Sequence, residues 1–319
     1  MNSQKILKTI QDNGTFLLST HVNPDADGLS SELALALYLK SLGKKVHVIN
    51  ADKPLGMYSF LPRKHLLEEF RFARIPYDAA IILDCGDLDR IGSVQSILSE
   101  EKILINIDHH ITNDFFGDIN LVDAKASSTA EVLFNLFMEA KFKLTKELAV
   151  LLYIGIMTDT GCFRYDNTTA HTHAVISQLM QFKFSVSQWY KKIYENVPFH
   201  DFELFNKVVR HFAVTHEGRV ASLVLHKNIL RGFSEEFDLK DKIFTFLRAI
   251  IGIEVIIIFT ESKQKETRVN FRSQGAVDVA KLASRYKGGG HKKASGCLLA
   301  GSVEQSQQRI FSDLEKILK

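Results

Sequence analysis

The sequence predicts an α/β protein: a parallel-sheet N-terminal domain with helices on both faces, a helical connector, and a smaller α/β C-terminal domain. Three observations predict this fold class. Short aliphatic runs alternate with longer amphipathic stretches in the first half, a pattern typical of a parallel sheet. A more polar helical stretch then interrupts the pattern, and a second alternation of strands and helices follows it. The length of 319 residues also suits two domains better than one.

The elements of the first half follow from the length and periodicity of apolar runs. Short aliphatic runs are predicted to be strands over residues 15–19, 46–49, 79–83 and 103–107. Longer stretches with helical periodicity are predicted to be helices over residues 30–42, 90–98, 128–140, 148–158 and 169–182. Gly43 stands where a glycine commonly follows a helix. These elements define a first domain over residues 1–184.

The second half begins with the connector, residues 185–211, in which Pro198 is expected to cause a break. The C-terminal domain then covers residues 212–319. Its strands are predicted over residues 220–225, 253–260 and 267–272, and its helices over residues 237–250, 277–286 and 303–318. The triplet Gly288-Gly289-Gly290 is predicted to form a loop.

The composition excludes several classes of protein. The formal net charge is only +3, whereas a protein that binds long duplex nucleic acid is usually more basic. The longest apolar run, residues 255–259, is far shorter than the ~20 residues of a membrane-spanning helix. The three cysteines, Cys85, Cys162 and Cys297, form no Cys-x-x-Cys pair, and the first ten residues do not read as a signal peptide. We therefore expect a cytoplasmic protein with neither a membrane nor long duplex nucleic acid as its partner.

Acids and histidines follow the predicted strands of the first half. His21, Asp25 and Asp27 lie in one loop after the first strand, and Asp84 closes the third. In open parallel sheets, ligands bind outside the carboxyl ends of the strands. The alternative is a purely structural role, with one aspartate capping a helix and the histidine lying on the surface. For Asp84 this alternative is weaker, because a carboxylate that closes an apolar strand is costly to bury unless it is paired or bound to a cation.

Two further segments add candidates. Asp108-His109-His110 follows the fourth strand, and Asp159 ends the apolar helix 148–158. Adjacent histidines point to different sides of an extended or turning chain, so one can bind a metal while the other faces a substrate. Asp108 can orient one of the imidazoles. Asp159 alone is a weak signal.

Together these segments supply two imidazoles and four carboxylates, from His21, Asp25, Asp27, Asp84, His109 and Asp159. Nitrogen and oxygen ligands without a thiolate suit manganese, magnesium or iron better than a structural zinc site. Six side chains are too many for one catalytic ion, but they suit two ions that share a bridging carboxylate. Such a pair is typical of phosphatases and nucleases.

The second domain carries groups that recognise phosphate. Arg268, Asn270 and Arg272 alternate along a predicted strand and so share one face. Arginine side chains match the geometry of phosphate. The glycine triplet and His291 are a candidate anion-binding nest of backbone N–H groups, and lysines flank it. A flexible turn is the alternative for the triplet.

These motifs resemble those of the DHH phosphoesterase family over nearly the whole chain. The first half resembles the family's successive motifs through His21-x-x-x-Asp25-x-Asp27, Asp84, Asp108-His109-His110 and Asp159. Arg272-Ser273 and the segment from Gly288 to Gly296 resemble the DHH-associated C-terminal domain. The layout is most similar to the bacterial branch of oligoribonucleases and pAp phosphatases. One departure is visible: Gly28 follows Asp27 at once, and Ser30 comes after it.

The resemblance implies roles for individual residues. His21, Asp25 and Asp84 would hold one divalent ion, and Asp27, Asp84, His109 and Asp159 the other. The ions would be manganese, with magnesium as the alternative. His110, with Asp108, would act on the phosphate as the catalytic pair. Substrate phosphate would be bound across an interdomain cleft by the substrate-binding residues Arg268, Arg272, Ser273, Gly289, Gly290 and His291.

The resemblance also implies substrates: very short single-stranded RNA (nanoRNA) or small phosphorylated nucleotides such as pAp. The alternatives are a phosphodiesterase of cyclic dinucleotides or their linear products, and a catalytically silent nucleotide-sensing module. A pyrophosphatase is disfavoured because its C-terminal domain is of another type, and a large exonuclease because no extra nucleic-acid-binding domain is present. The sequence leaves open the preferred substrate, the directionality and the oligomeric state, with a homodimer among the options.

Overall fold

The computed structural model describes residues 2–54, 56–71, 75–235, 237–262 and 265–318. Within the last range, only the backbone of His291 is described. The chain forms two compact units, residues 1–195 and 196–319. The division falls inside the predicted connector.

The first unit contains a parallel sheet. Its strands are β1 (Thr15–Ser19), β2 (Lys45–Asn50), β3 (Leu67–Glu69), β4 (Ala79–Leu83), β5 (Ile103–Asp108) and β6 (Ile119–Val122). They are ordered β3-β2-β1-β4-β5-β6, and every neighbouring pair is parallel. The strand order reverses between β1 and β4, which is the point where ligands bind in open α/β sheets.

Helices of the first unit are α1 (Asn2–Asp12), α2 (Ala26–Ser41), α3 (Thr129–Glu139), α4 (Lys146–Asp159), α5 (Ala170–Met180) and α6 (Val186–Tyr194). The start predicted for α2 at residue 30 was wrong, because Asp25 caps the helix and the first turn begins at Ala26. The α-helix predicted over residues 90–98 is instead a 3-10 stretch, Leu88–Ile97, that kinks at Gly92 (φ 61°). Strands β3 and β6 were not predicted, because they are short and incompletely buried.

Both faces of this sheet are covered, as predicted. Alternate residues of β1 divide between two hydrophobic cores: Phe16 and Leu18 pack with helices α1 to α5, and Leu17 packs on the other side. The second core is smaller and includes Ile91 and Val94 of the 3-10 stretch. This alternation follows from the period of two along a strand.

The second unit contains α7 (Phe199–Val209), β7 (Ala213–Thr215), β8 (Val220–Leu225), α8 (Lys227–Leu230), α9 (Leu239–Arg248), β9 (Val255–Glu261), β10 (Glu266–Ser273), α10 (Val279–Ser284), β11 (Gly289–His291), β12 (Ala294–Ala300) and α11 (Val303–Ile317). Its sheet is ordered β11-β12-β10-β9-β8-β7, and only the β8–β9 pair is parallel. Pro198 stands at the N-terminus of α7, so the predicted break is confirmed.

The predicted glycine loop was wrong. Gly289 and Gly290 lie in β11, which pairs antiparallel with β12. The backbones approach so closely that a Cβ at Gly290 would come within 2.6 Å of the Ala294 carbonyl oxygen. Glycine is therefore favoured at position 290 both by this close strand contact and by its positive φ of 132°.

Within the described residues, no helix is both long enough and apolar enough to span a membrane. Cys85, Cys162 and Cys297 are free thiols. The cytoplasmic location stays a prediction.

Candidate active site

The structure brings the six predicted metal ligands together in the first unit. His21 follows β1, Asp84 follows β4, His109 follows β5, and the remaining three belong to the ends of α2 and α4. They form two groups in which one ligand atom per residue lies within 4.8 Å of the others. These groups are His21 with Asp25 and Asp84, and Asp27 with His109 and Asp159; by the same criterion Asp84 and His109 also group with His110.

Asp84 lies between the two groups. Its Oδ2 atom is 3.7 Å from His21 Nε2, and its Oδ1 atom is 3.6 Å from His109 Nε2. The residue is buried and has a left-handed backbone (φ 52°), a conformation that a non-glycine residue rarely adopts outside turns and functional sites. One carboxylate oxygen of Asp84 therefore faces His21 and the other faces His109, an arrangement that suits a bridging ligand.

Asp25 caps α2, as the structural alternative proposed, and its second carboxylate oxygen faces His21. Its Oδ1 atom accepts hydrogen bonds from the backbone N–H groups of Asp27 and Gly28, both at 3.0 Å. Its Oδ2 atom lies 4.0 Å from His21 Nε2. His21 Nδ1 is 2.8 Å from the carbonyl oxygen of Val22, so Nδ1–H donates there and Nε2 keeps the lone pair that a metal needs.

The Asp27 carboxylate is held by the N-terminus of α3. Backbone N–H groups of Thr129 and Ala130 donate to it at 2.8 and 3.1 Å. Gly155 of α4 permits this approach, since a Cβ there would lie 2.5 Å from Asp27 Oδ1. The Thr129 hydroxyl also donates to Asp84 Oδ1 at 2.9 Å. The first turn of α3 thus holds two carboxylates of the cluster, those of Asp27 and Asp84.

The electrostatics of this cluster fit a bound cation. Burial, and then the charges of Asp84, Asp159 and Asp25, raise the pKa of Asp27 well above its usual value. Burial raises the pKa of Asp159 to about 7, and the charges of Asp84 and Asp25 add to this rise although His109 opposes it. Within the described part of the chain, the ion-pair partners of these acids are histidines. Divalent ions would relieve this repulsion, and the residues present are suitable ligands for them.

The two adjacent histidines have different surroundings. His109 Nε2 lies 3.4 Å from Asp159 Oδ2 and faces the metal-ligand cluster. His110 Nδ1 is bound to Asp108 Oδ1 at 2.7 Å, although it also lies 3.8 Å from Asp84 Oδ1. Burial by itself lowers the pKa of His110, but the Asp108 hydrogen bond and the charge of Asp84 outweigh it and raise the pKa to about 9. Asp108 is buried and is held in turn by Asn113 Nδ2 at 2.6 Å.

The predicted phosphate-binding strand is β10 of the second unit. Arg268, Asn270 and Arg272 share a face with Ile256 and Ile258 of β9, because cross-strand partners in an antiparallel pair lie on one face. The residues of β9 on this face pack against α9. The Arg272 guanidinium lies 4.7 Å from the centroid of the Phe244 ring, and Ser273 is buried.

The remaining predicted substrate residues lie at an edge of the same sheet. Gly289 and Gly290 belong to edge strand β11, so the expected loop nest is replaced by a strand edge. A Cβ at Gly289 would meet nothing within 4 Å among the described atoms. The side chain of His291 lies outside the described part of the structure.

Sequence reasoning missed several residues that support these sites. Thr129, Asn113 and Gly155 contact the metal-ligand candidates or Asp108. In the second unit, burial and then the charge of Arg268 lower the pKa of Lys240. A helix-capping pattern before α3 was available as a signal for the Thr129 region, since Ser128 caps that helix.

Comparison with known proteins supports this interpretation of the motifs. Residues 15–156 match the DHH family, N-terminal domain, and residues 224–319 match the DHHA1 domain. The chain is 32% identical over 318 residues to the bifunctional oligoribonuclease and PAP phosphatase NrnA of Bacillus subtilis, with 99% of this chain and 98% of that protein covered. The protein of the same name from Thermus thermophilus is 30% identical over 318 residues, with 98% and 93% covered.

A solved structure shows the same fold. The crystal structure of an exopolyphosphatase-related protein from Bacteroides fragilis aligns with a TM-score of 0.91 and 24% identity, covering 99% of this chain and 96% of that one. The two domain matches and the full-length relatives agree with the motifs read from the sequence. The chain belongs to the DHH phosphoesterase family and carries a DHHA1 domain in its C-terminal half.

Proposed function

We propose that this chain is a divalent-metal-dependent phosphoesterase that hydrolyses very short oligoribonucleotides to mononucleotides and pAp to AMP. The observation that carries this proposal is the position of Asp84, whose two carboxylate oxygens face two separate groups of metal-ligand candidates. The names of the full-length relatives support the choice of substrates. Manganese is the preferred ion, because imidazole and carboxylate ligands are mixed, and magnesium is the alternative.

The six clustered side chains would hold two ions. His21, Asp25 and Asp84 form the first group, and Asp27, His109 and Asp159 form the second, which Asp84 would complete as a shared ligand. Bound ions would neutralise charge on the phosphate oxygens and lower the pKa of a water molecule. The protein's own contribution is to hold the ligands in place before the substrate arrives, through the α3 N–H groups on Asp27 and the Thr129 hydroxyl on Asp84.

His110 and Asp108 form the proposed catalytic pair. The Asp108 carboxylate fixes the imidazole through Nδ1 at 2.7 Å, and Asn113 fixes the carboxylate. His110 then faces the substrate phosphate, where it stabilises charge or protonates the leaving group. Asp108 acts through His110 and is a positioning residue.

The arginine strand is the proposed anchor for substrate phosphate. Arg268 and Arg272 lie on one face of β10. Phe244 lies against the Arg272 guanidinium, which limits its rotation. Ser273, Gly289, Gly290 and His291 complete the proposed set. Because this set lies in a different unit from the metal-ligand candidates, its loss should affect substrate binding and leave metal content unchanged.

The experiment compares kcat/KM for a substrate panel on chelator-stripped protein, with and without added Mn²⁺ or Mg²⁺. The panel contains pAp, RNA of two to five nucleotides, and linear and cyclic di-adenylate. The expected result is metal-dependent turnover that is fastest on pAp and the shortest RNA. Turnover confined to the di-adenylates would favour the phosphodiesterase alternative. Binding without turnover would favour a nucleotide sensor.

A further inference from the structure

A buried glutamate lies next to the metal-ligand candidates but belongs to neither group. Glu32 of α2 is fully buried, and Asn50 Nδ2 donates to its Oε2 atom at 2.8 Å. Burial raises the pKa of Glu32 to about 8, although the Asn50 hydrogen bond opposes this rise, and the charge of Asp84 adds to it. Burying an acid is costly unless the acid is hydrogen-bonded or paired, so the contacts of Glu32 need an explanation.

Asn50 connects Glu32 to the end of β1. Its Oδ1 atom accepts the backbone N–H of Thr20 at 3.1 Å, and the Ser19 hydroxyl lies 3.4 Å from the same atom. Thr20 directly precedes His21. The amide of Asn50 therefore spans from helix α2 to the residue before a candidate metal ligand.

The Thr20 end of this chain of hydrogen bonds lies close to Asp84. Gly28 is one helical turn before Glu32, so both residues are on one face of α2. A Cβ at Gly28 would come within 2.7 Å of Thr20 Oγ1 and 3.3 Å of Asp84 Oδ2. In the part of the chain that the structure describes, Thr20 Oγ1 and Glu32 Oε1 are both buried without a hydrogen-bond partner.

We propose that Glu32 is a positioning residue, which holds Thr20 through Asn50 and thereby fixes His21 relative to Asp84 for metal binding. Glu32 contacts no reacting atom and acts through hydrogen bonds alone. The inference rests on the proposed ligand role of His21, Asp25 and Asp84. Side chains that hydrogen-bond a metal ligand directly typically contribute a factor of about 10–100 in metal affinity; Glu32 acts through Asn50 and Thr20, so the lower end of that range is expected.

The test measures Mn²⁺ affinity by titrating chelator-stripped protein, with thermal unfolding recorded for each variant. Glu32→Leu and Asn50→Ala break the connection from opposite ends, and each should weaken one of the two Mn²⁺ sites by about 10-fold. Glu32→Gln keeps an acceptor for Asn50 and a donor, so it should retain the wild-type affinity. Leu35→Ala is the matched control: this buried residue of the same helix should lower thermal stability without changing Mn²⁺ affinity.

Retention of both affinities in Glu32→Leu and Asn50→Ala would overturn the inference. If Glu32→Leu does not fold, Asn50→Ala decides alone. An equal loss in Glu32→Gln would show that the charge of Glu32 matters, and would also overturn it. His21→Ala tests the ligand assignment separately from the role of Glu32. If His21→Ala binds Mn²⁺ as the wild type does, the ligand assignment itself fails.

Discussion

The two units present their charged residues in opposite ways. In the first unit, the carboxylates of Asp27 and Asp84 are buried and are held by backbone and hydroxyl donors. In the second unit, Arg268 is exposed on a strand and Arg272 lies against an aromatic ring. Buried charges in fixed positions suit chemistry on a reacting group, whereas accessible cations suit binding of an anion. Variants of the two regions should therefore differ in which kinetic constant they change.

The largest expected effect is at Asp84. Asp84→Ala should retain the fold but lower kcat by at least about 10³, or about 4 kcal/mol, because both candidate ion sites lose a ligand. Steady-state kinetics on pAp and dinucleotide RNA, with circular dichroism as the folding control, test this prediction. Wild-type kcat in a folded Asp84→Ala protein would remove Asp84 from the reaction.

The adjacent histidines should separate within the first unit. His109→Ala should weaken metal binding, because Nε2 of His109 faces Asp84 and Asp159. His110→Ala should keep both ions and lose mainly kcat, by a factor of about 10²–10⁴ as expected for a general acid. Mn²⁺ titration and kinetics on both variants measure the difference. Equal metal loss in the two variants would contradict the division of roles.

Arg272→Ala should weaken substrate binding by the second unit and leave metal binding by the first unit unchanged. We expect the activation free energy derived from kcat/KM to rise by about 2–4 kcal/mol, since a charged contact to substrate phosphate is lost. Mn²⁺ content should stay unchanged. The ratio of kcat/KM for short RNA to kcat/KM for longer RNA should also decrease. The measurement is kcat/KM for RNA of two, three, five and ten nucleotides on both proteins. Indistinguishable profiles would show that Arg272 is not the anchor.

The smallest expected effect tests the support given by α3. Thr129→Val removes the hydroxyl that donates to Asp84 Oδ1, and should lower Mn²⁺ affinity or kcat about 10-fold. Thr129→Ser keeps the hydroxyl and is the matched control, so it should behave as the wild type. Wild-type Mn²⁺ affinity and kcat in Thr129→Val would show that this hydrogen bond does not contribute.

The sequence was sufficient to predict the parts of the fold that depend on buried aliphatic runs. β1, β4 and β8 begin and end where predicted, because each is a short apolar run with polar neighbours. The clustering of the six metal-ligand candidates was also predictable, since most of them follow strands whose carboxyl ends meet at one edge of the sheet. Their assignment as metal ligands stays a prediction.

Other features could not be predicted, for physical reasons. Glycine has no side chain that could distinguish the turn expected at Gly289 and Gly290 from the close strand pairing that is present. Asp25 caps α2 through one carboxylate oxygen while the other lies near His21, although the sequence presented the cap and the ligand cluster as alternatives. Thr129 lies 45 residues from Asp84 in sequence, so their hydrogen bond depends on how α3 packs.

The most direct test counts the ions. Chelator-stripped wild-type protein, dialysed against Mn²⁺ and analysed for bound metal, should hold two ions per chain, as a bridged pair requires. Asp84→Ala in the same experiment should hold fewer than one, because its two carboxylate oxygens face both groups of ligands. A single ion in the wild type, or two ions in a folded Asp84→Ala protein, would contradict a metal pair bridged by Asp84.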